Sequence, residues 1–310
     1  MHAQQTACVA FAAGSFLRAE GGKTAWRSRD EIRYTHANDD HVMQPLQLNA
    51  LWIGERLATL QQLCLLSAIQ AGHRLRLFAY GRPHGVPDAI ELADAREIYP
   101  ESAIIRHHRT GSPSLFADRF RYEIARRGFG AWMDTDILML RPLEPESPLI
   151  CGWESSSLVG NSLLYLGPGS SVLKAMCEES AKDYPNPQWY LPPLRAYLDL
   201  RRRLGRPVHI SRLPWGVVGP GLLTHVLRSQ GKLNQAWPIH RIYPISYKEK
   251  FGPFRRDYDH RARIKSDTVC VHLWAQGLYG GLSAPTGRSL PIAEPGSLVA
   301  IKAREIGLRL

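Results

Sequence analysis

Phe129-Gly130-Ala131-Trp132-Met133-Asp134-Thr135-Asp136-Ile137-Leu138 is the stretch that decides how this chain is read. An apolar run closes on two carboxylates one residue apart. Along an extended segment, side chains at i and i+2 point the same way, so Asp134 and Asp136 face one object. Carboxylates at the end of a buried strand are costly unless a cation or hydrogen bonds compensate them. Hard oxygen ligands in that position suit a divalent cation that also holds a diphosphate. The pair alone is a weak signal, because the chain holds a second, Asp257-Tyr258-Asp259. That second pair lies among Arg255, Arg256, His260 and Arg261 with no apolar strand before it, and it reads as solvated salt-bridge partners.

Upstream, Ser112-Pro113 is a helix start, with Ser as N-cap and Pro at the first position, and Gly128 is a stop. The helix between them carries Asp118, Arg121, Tyr122 and Ala125 on roughly one face. Asp118 and Arg121 are placed either to project toward the cleft of the two carboxylates or to form a plain surface ion pair. Farther upstream, Asn49 to Ile53 reads as a buried strand ending at Gly54. Glu55 to Ala71 follows as a helix capped by Gly72, and Leu75 to Ala79 as a second strand. Strand, helix and strand within about 35 residues make a βαβ unit with parallel strands. Residues 82–112 read as loop. Downstream, Leu149–Trp153 and Ser162–Leu166 read as strands and Ser171–Lys182 as a helix. From Tyr184 onward, Pro, Arg and aromatic residues multiply, which suggests helices and loops laid against the sheet.

The chain has 310 residues, 44% hydrophobic and 22% charged, the balance of an ordinary globular protein, which excludes disorder or collagen-like structure for most of it. Cys8, Cys64, Cys151, Cys177 and Cys270 are widely spaced, odd in number and without a C-x-x-C pair. A zinc knuckle or disulfide framework is therefore not expected, and a reducing compartment is. No apolar run approaches the roughly 18 residues of a membrane span. Ala7 to Ala13 is short and lacks a preceding Lys or Arg, which makes a poor secretory signal. Residues 1–46 are expected to be irregular or poorly ordered. Residues 47–310 are expected to form a single domain, in which 47–168 is the first half and 169–310 the second. The net charge of +11 sits in one place: Arg195 to Lys265 holds 16 Lys and Arg against 4 Asp and Glu, a balance of +12. Such a patch attracts phosphates of some kind, in nucleic acid, lipid head groups or a nucleotide.

Taken together, Trp52-Ile53-Gly54, Ala117-Asp118-Arg119-Phe120-Arg121-Tyr122 and Gly128 to Asp136 resemble the DXD-type retaining glycosyltransferases of GT-A fold. That group includes α-1,4-galactosyltransferases, yeast outer-chain mannosyltransferases, bacterial polysaccharide and lipopolysaccharide sugar transferases, and glucosylating clostridial toxins. The resemblance runs from about Leu48 to Asn161 and returns in Gly219-Pro220-Gly221-Leu222-Leu223-Thr224 and Val271-His272-Leu273-Trp274. It implies an α/β, Rossmann-like mixed sheet flanked by helices with a helix- and loop-rich C-terminal part. It also implies a nucleotide-sugar donor, Mn²⁺ or Mg²⁺ as cofactor, and a saccharide or glycolipid acceptor. By the same resemblance, 47–168 is the nucleotide-sugar-binding half and 169–310 the acceptor-side half. Trp52 and Ile53 match the first-strand region that contacts the nucleotide. Asp118 and Arg121 look like the helix pair that binds donor sugar and phosphate. Asp134 resembles the carboxylate on ribose or sugar hydroxyls that also stands at the metal, and Asp136 the direct metal ligand. Asn161 falls where a polar residue lies near the transferred sugar, and His272 and Trp274 resemble the segment that closes over the diphosphate. The family has Gly-Gly and an aromatic before its D-x-D, and this chain instead has Gly128-Phe129-Gly130 with Trp132.

Other readings compete. A haloacid-dehalogenase-type phosphatase also uses D-x-D after an apolar strand, but at the first strand of its domain, whereas this pair comes more than 130 residues in. A non-catalytic nucleic-acid-binding protein would use the basic stretch, which lacks a reader motif and is broken by Pro and Gly, so nucleic acid is not expected as a partner. His107-His108 reads as a solvated loop. Trp189, Tyr190, Trp215 and Trp237 are either sugar-stacking platforms or core residues. The final segment, with Leu298, Val299, Ile301, Ile306, Leu308 and Leu310 among Lys302, Arg304 and Arg309, is either a helix docked on the domain or a basic amphipathic helix on an anionic membrane. The expected location is the cytoplasm, with peripheral attachment at the inner face of the cell membrane as the open alternative.

Overall fold

The computed structural model describes residues 46–145, 147–278 and 292–310. The N-terminal segment expected to be irregular therefore lies, apart from Leu46, outside the described residues. The described chain is mixed α/β. In order it forms β1 (Leu48–Trp52), α1 (Thr59–Gln70), β2 (Leu75–Ala79), β3 (Glu91–Asp94), α2 (Ser114–Arg126), β4 (Ala131–Met133), β5 (Ile137–Met139), β6 (Leu149–Trp153), β7 (Val159–Leu166) and α3 (Ser171–Ser180). There follow α4 (Pro192–Arg203), α5 (Pro220–Ser229), α6 (Ile239–Ile242), β8 (Cys270–His272), α7 (Ala275–Leu278) and α8 (Leu298–Ile306).

Six strands make one sheet in the order β3-β2-β1-β4-β7-β6. The first four run parallel, with Leu48 opposite both Leu75 and Ala131. β7 and β6 join antiparallel. This is the Rossmann-like mixed sheet expected from sequence, and β1-α1-β2 is its βαβ unit. A separate antiparallel pair, β5 and β8, matches Ile137 with His272. Strand alternation divides the core. Leu48, Ala50, Leu77 and Met133 pack with Leu65 on one face of the sheet. Phe78 and Trp132 meet Phe116 and Phe120 of α2, Met176 of α3 and Leu222 of α5 on the other. Burial on both faces is what makes the parallel strands read as near-continuous apolar runs.

Several expectations shift. α1 begins at Thr59 rather than Glu55, because residues 55–57 are held extended. Arg56 bridges His84, the Leu57 N–H donates to His84 O at 2.8 Å, and the His84 N–H donates to Glu55 O at 2.8 Å. The 82–112 loop contains the edge strand β3. α2 starts at Ser114, one residue late, with Pro113 at the cap and the Ser114 N–H donating to Ser112 Oγ at 3.3 Å. His107 is buried, not solvated: its Nε2–H donates to Leu213 O at 3.1 Å, while His108 is exposed. The final segment is docked, with Leu298, Val299 and Ala303 of α8 buried against Leu60 and Leu63 of α1. Asp257 is exposed and pairs with Arg255 at 2.7 Å, as its neighbours suggested. Among the described residues no helix is long and apolar enough to cross a membrane.

Candidate active site

β1 leads through α1 to β2 on one side, and the chain returns later to β4 on the other. Strand order therefore reverses between β1 and β4. Ligands of open α/β sheets bind outside the C-terminal strand ends at such a reversal. A cleft of about 750 Å³ lies there, within the usual size of a small-molecule site. Trp52 and Ile53 enter it from the end of β1, and Asp134, Thr135 and Asp136 from the end of β4. The site residues that the resemblance implied all line it: these, with Asp118, Arg121, Asn161, His272 and Trp274.

The approach to the cleft is fixed by backbone. Gly130 has φ +108°, and a Cβ there would sit 2.3 Å from Gln47 O, so only glycine brings the chain into β4 this close to β1. Buried Asn49 secures the same junction, donating from Nδ2 to Phe129 O at 2.9 Å and Ala131 O at 3.1 Å. Asp134 then follows with its N–H donating to Ser162 O at 2.7 Å.

α2 supplies a buried polar chain, not a surface ion pair. Asp118 and Arg121 side chains are 7% and 5% exposed, and Arg121 Nε lies 3.4 Å from Asp118 Oδ1. Arg121 also reaches Asp134 Oδ1 at 3.2 Å and lies 5.0 Å over the Trp132 ring, while the Trp132 Nε1–H donates to the same Asp134 oxygen at 2.7 Å. Asn161 on β7 donates to Asp118 Oδ1 at 2.9 Å and to the Tyr122 hydroxyl at 3.1 Å, which itself donates to Val218 O at 2.7 Å. Each buried donor thus finds an acceptor, which is what a low-dielectric polar network requires.

Asp136 is held from the far end of the chain. Its Oδ2 accepts the Ala275 N–H at 2.9 Å, its carbonyl accepts the Leu273 N–H at 2.9 Å, and its Oδ1 lies 3.3 Å from His272 Nε2. Trp274 lies 4.0 Å from His272 between ring centroids and donates from Nε1 to Ile245 O at 2.9 Å. Its φ of +54° makes it the one non-glycine residue with positive φ among the described residues. Backbone strain of this kind persists where surrounding contacts over-determine it.

Electrostatics separate the carboxylates. Burial pushes Asp118 up to about 6, against the pull of Arg121 and the Asn161 hydrogen bond. Burial also raises Asp134, with Arg121 opposing and Asp136 adding to the rise. Asp136 goes the other way: burial resists its charge, but His272 and the Ala275 N–H hold it below the ordinary carboxylate value. The His272 imidazole is held above its own ordinary value, the nearby Asp136 charge outweighing burial. Among the described residues no three His, Cys, Asp or Glu side chains form a ready metal cluster. The donor set still suits a divalent ion that takes most of its ligands from phosphate and water. Four carboxylates (Asp118, Asp134, Asp136 and Glu154) line the cleft against Arg121 and His272, so a diphosphate needs a cation beside it. The Trp132 and Arg121 contacts of Asp134 fall on Oδ1, on the opposite oxygen from Oδ2.

Four buried polar atoms on cleft residues have no partner among the described residues: Trp52 Nε1, Gln61 Oε1, Ser114 Oγ and His272 Nδ1. Leaving such atoms unpaired is unfavourable, and a polar ligand satisfies them. Gln61 and Glu154 were not singled out in the sequence, though signals for both exist. Gln61 is a polar position within the apolar stripe of α1. Glu154 directly follows β6 as Asp134 follows β4, and burial raises it with His272 opposing. Of the aromatic candidates, Trp215 lines the cleft and is 49% exposed. Trp237 is a core residue stacked by Arg241 at 3.6 Å, and Trp189 packs against Tyr190 and His225. No family model matches this sequence, and no curated protein matches it significantly.

Proposed function

We propose that the protein is a metal-assisted retaining glycosyltransferase of GT-A type, which moves a hexose from a nucleotide-diphosphate sugar to a saccharide or glycolipid acceptor. One observation carries the reading. A buried Asp118-Arg121-Asn161 network joins half-buried Asp134 and meets the Asp136–His272 pair at the strand-order reversal of a mixed sheet. Trp52 and Ile53 would hold the nucleoside, and Asp118 and Asn161 the sugar hydroxyls. Arg121 would face the diphosphate, a role that fits its fixed charge and fork of donors. Asp136 and Asp134 would hold Mn²⁺ or Mg²⁺, with His272 beside Asp136. When bound, the ion would neutralise charge on the leaving nucleoside diphosphate. Arg121 adds charge stabilisation from the protein side, preorganised by Asp118 and Asp134 so that little reorientation accompanies bond breaking.

Retention follows from the resemblance, and we favour attack from the front face, with the departing phosphate taking the acceptor proton. Trapping a glycosyl group covalently on a side chain would overturn that mechanism. The test of the function is a panel of nucleotide-sugars with and without Mn²⁺, scored for hydrolysis and for thermal stabilisation. One donor should respond in a metal-dependent way, and Asp136→Ala should abolish the turnover with the fold intact. Silence with every donor refutes the reading.

A further inference from the structure

α4 turns an apolar stripe outward. Pro193, Tyr197, Leu200 and Leu204 recur at spacings of four, three and four residues, which places them on one side of the helix. Tyr197 is 48%, Leu200 55% and Leu204 63% exposed, and Leu191, just before the helix, is 78% exposed. The opposite side attaches the helix to the protein through buried Leu198 and half-buried Leu194. Amphipathic helices normally bury the stripe that this one shows to water.

Charge identifies the occupant. From Leu191 to Arg206 there are five arginines (Arg195, Arg201, Arg202, Arg203 and Arg206) against Asp199 alone, a balance of +4. By helical spacing Arg201 and Arg203 flank the stripe on its two sides. A second copy of the chain would bring an equal positive face against this one, and like charges disfavour that pairing. Nucleic acid would meet the arginines but leave the leucines in water. An anionic bilayer satisfies both, taking arginines at its head groups and leucines at the acyl boundary. α8 does not compete for this role, since its apolar side is buried in the fold.

We propose that α4 docks the protein on an anionic membrane surface, lying in the interface with Tyr197, Leu200 and Leu204 inserted. The proposal does not depend on the chemistry of the cleft. The experiment is cosedimentation of the whole protein with vesicles rich in phosphatidylglycerol, beside vesicles of phosphatidylcholine alone, at about 150 mM salt. The protein should pellet with the anionic vesicles and stay in solution with the neutral ones. Leu200→Asp with Leu204→Asp should remove binding while circular dichroism and melting temperature stay unchanged. Arg203→Gln with Arg206→Gln, both exposed, should weaken partitioning roughly fivefold per arginine, a check that survives if the leucine variant folds poorly. Failure to pellet with anionic vesicles overturns the proposal, as does equal binding by the variants. It is also overturned by a dimer that the leucine variant splits, or by RNA binding through these arginines, where vesicles leave the protein in solution.

Discussion

Replacing Asp118 by Asn asks whether the buried polar network of the cleft is kept at the expense of stability. Asp118 is 5% exposed and titrates near 6 in the fold, against an ordinary value of 3.8. The fold therefore holds this proton more tightly than the unfolded chain does. Its contribution favours folding fully below about pH 3.8 and fades as pH rises through 6. The interval between those values corresponds to about 3 kcal/mol lost at neutral pH. Asn keeps the side-chain size and still accepts the Asn161 Nδ2–H, while the buried charge disappears. Arg121's attraction is already contained in that interval, and burying an amide NH₂ in place of Oδ2 offsets part of the gain, leaving about 1–2 kcal/mol of net stabilisation at pH 7.5. For a chain of this size the melting temperature should rise by roughly 2–6 °C. Thermal unfolding of both proteins between pH 4 and 8 measures it. The gap should close toward pH 4, and metal-dependent donor turnover should be lost in the variant. Asp118→Asn melting below the wild type at pH 7.5, or a gap that ignores pH, refutes the reasoning.

Two glycines should fail differently. At Gly130 a Cβ meets backbone 2.3 Å away at positive φ, so Gly130→Ala should lower unfolding stability by about 3 kcal/mol or more, read from the denaturant midpoint. At Gly219 the Cβ would lie 2.7 Å from Asp118 Oδ2, on a short side chain held by Asn161 and Arg121, so Gly219→Ala should lower stability by about 1–3 kcal/mol and slow donor hydrolysis at least about tenfold. Glu154→Gln should separate the two sides of the cleft. We expect donor hydrolysis within about threefold of wild type and transfer to acceptor down about tenfold, the size of a lost charged hydrogen bond. Equal loss of both would place Glu154 on the donor instead.

Much of the sheet was legible because its strands are buried on both faces, and their apolar runs are bounded by glycines and turns. β1, β2, β4 and the carboxylates at the end of β4 all follow from that one pattern. β3 escaped notice because a four-residue edge strand, Glu91–Asp94, needs no apolar run: one side of it faces water. The start of α1 was misread because helical periodicity continues through Leu57, whose N–H belongs instead to His84. Asp118 and Arg121 stood out by their spacing. Their burial did not, since it depends on Asn161 and Asp134 closing over them from other strands. Glu154 was missed although it ends an apolar strand as Asp134 does, because no second carboxylate drew attention to it. The β5–β8 pairing was invisible for a plainer reason: its partners lie 131 or more positions apart along the chain, and local pattern carries no record of such distance.

That pairing has a consequence in time. The Asp136 carboxylate receives the Ala275 N–H from 139 residues downstream. During synthesis the parallel strands leave the ribosome long before the segment that clasps this carboxylate exists. Until residue 275 has emerged and folded back, the nascent protein has a cleft in which Asp136 lacks both His272 and the backbone donor that orients it. Arrival of β8 and Ala275 is thus a late step in assembling the cleft, and no fragment that stops short of β8 can reproduce the finished geometry.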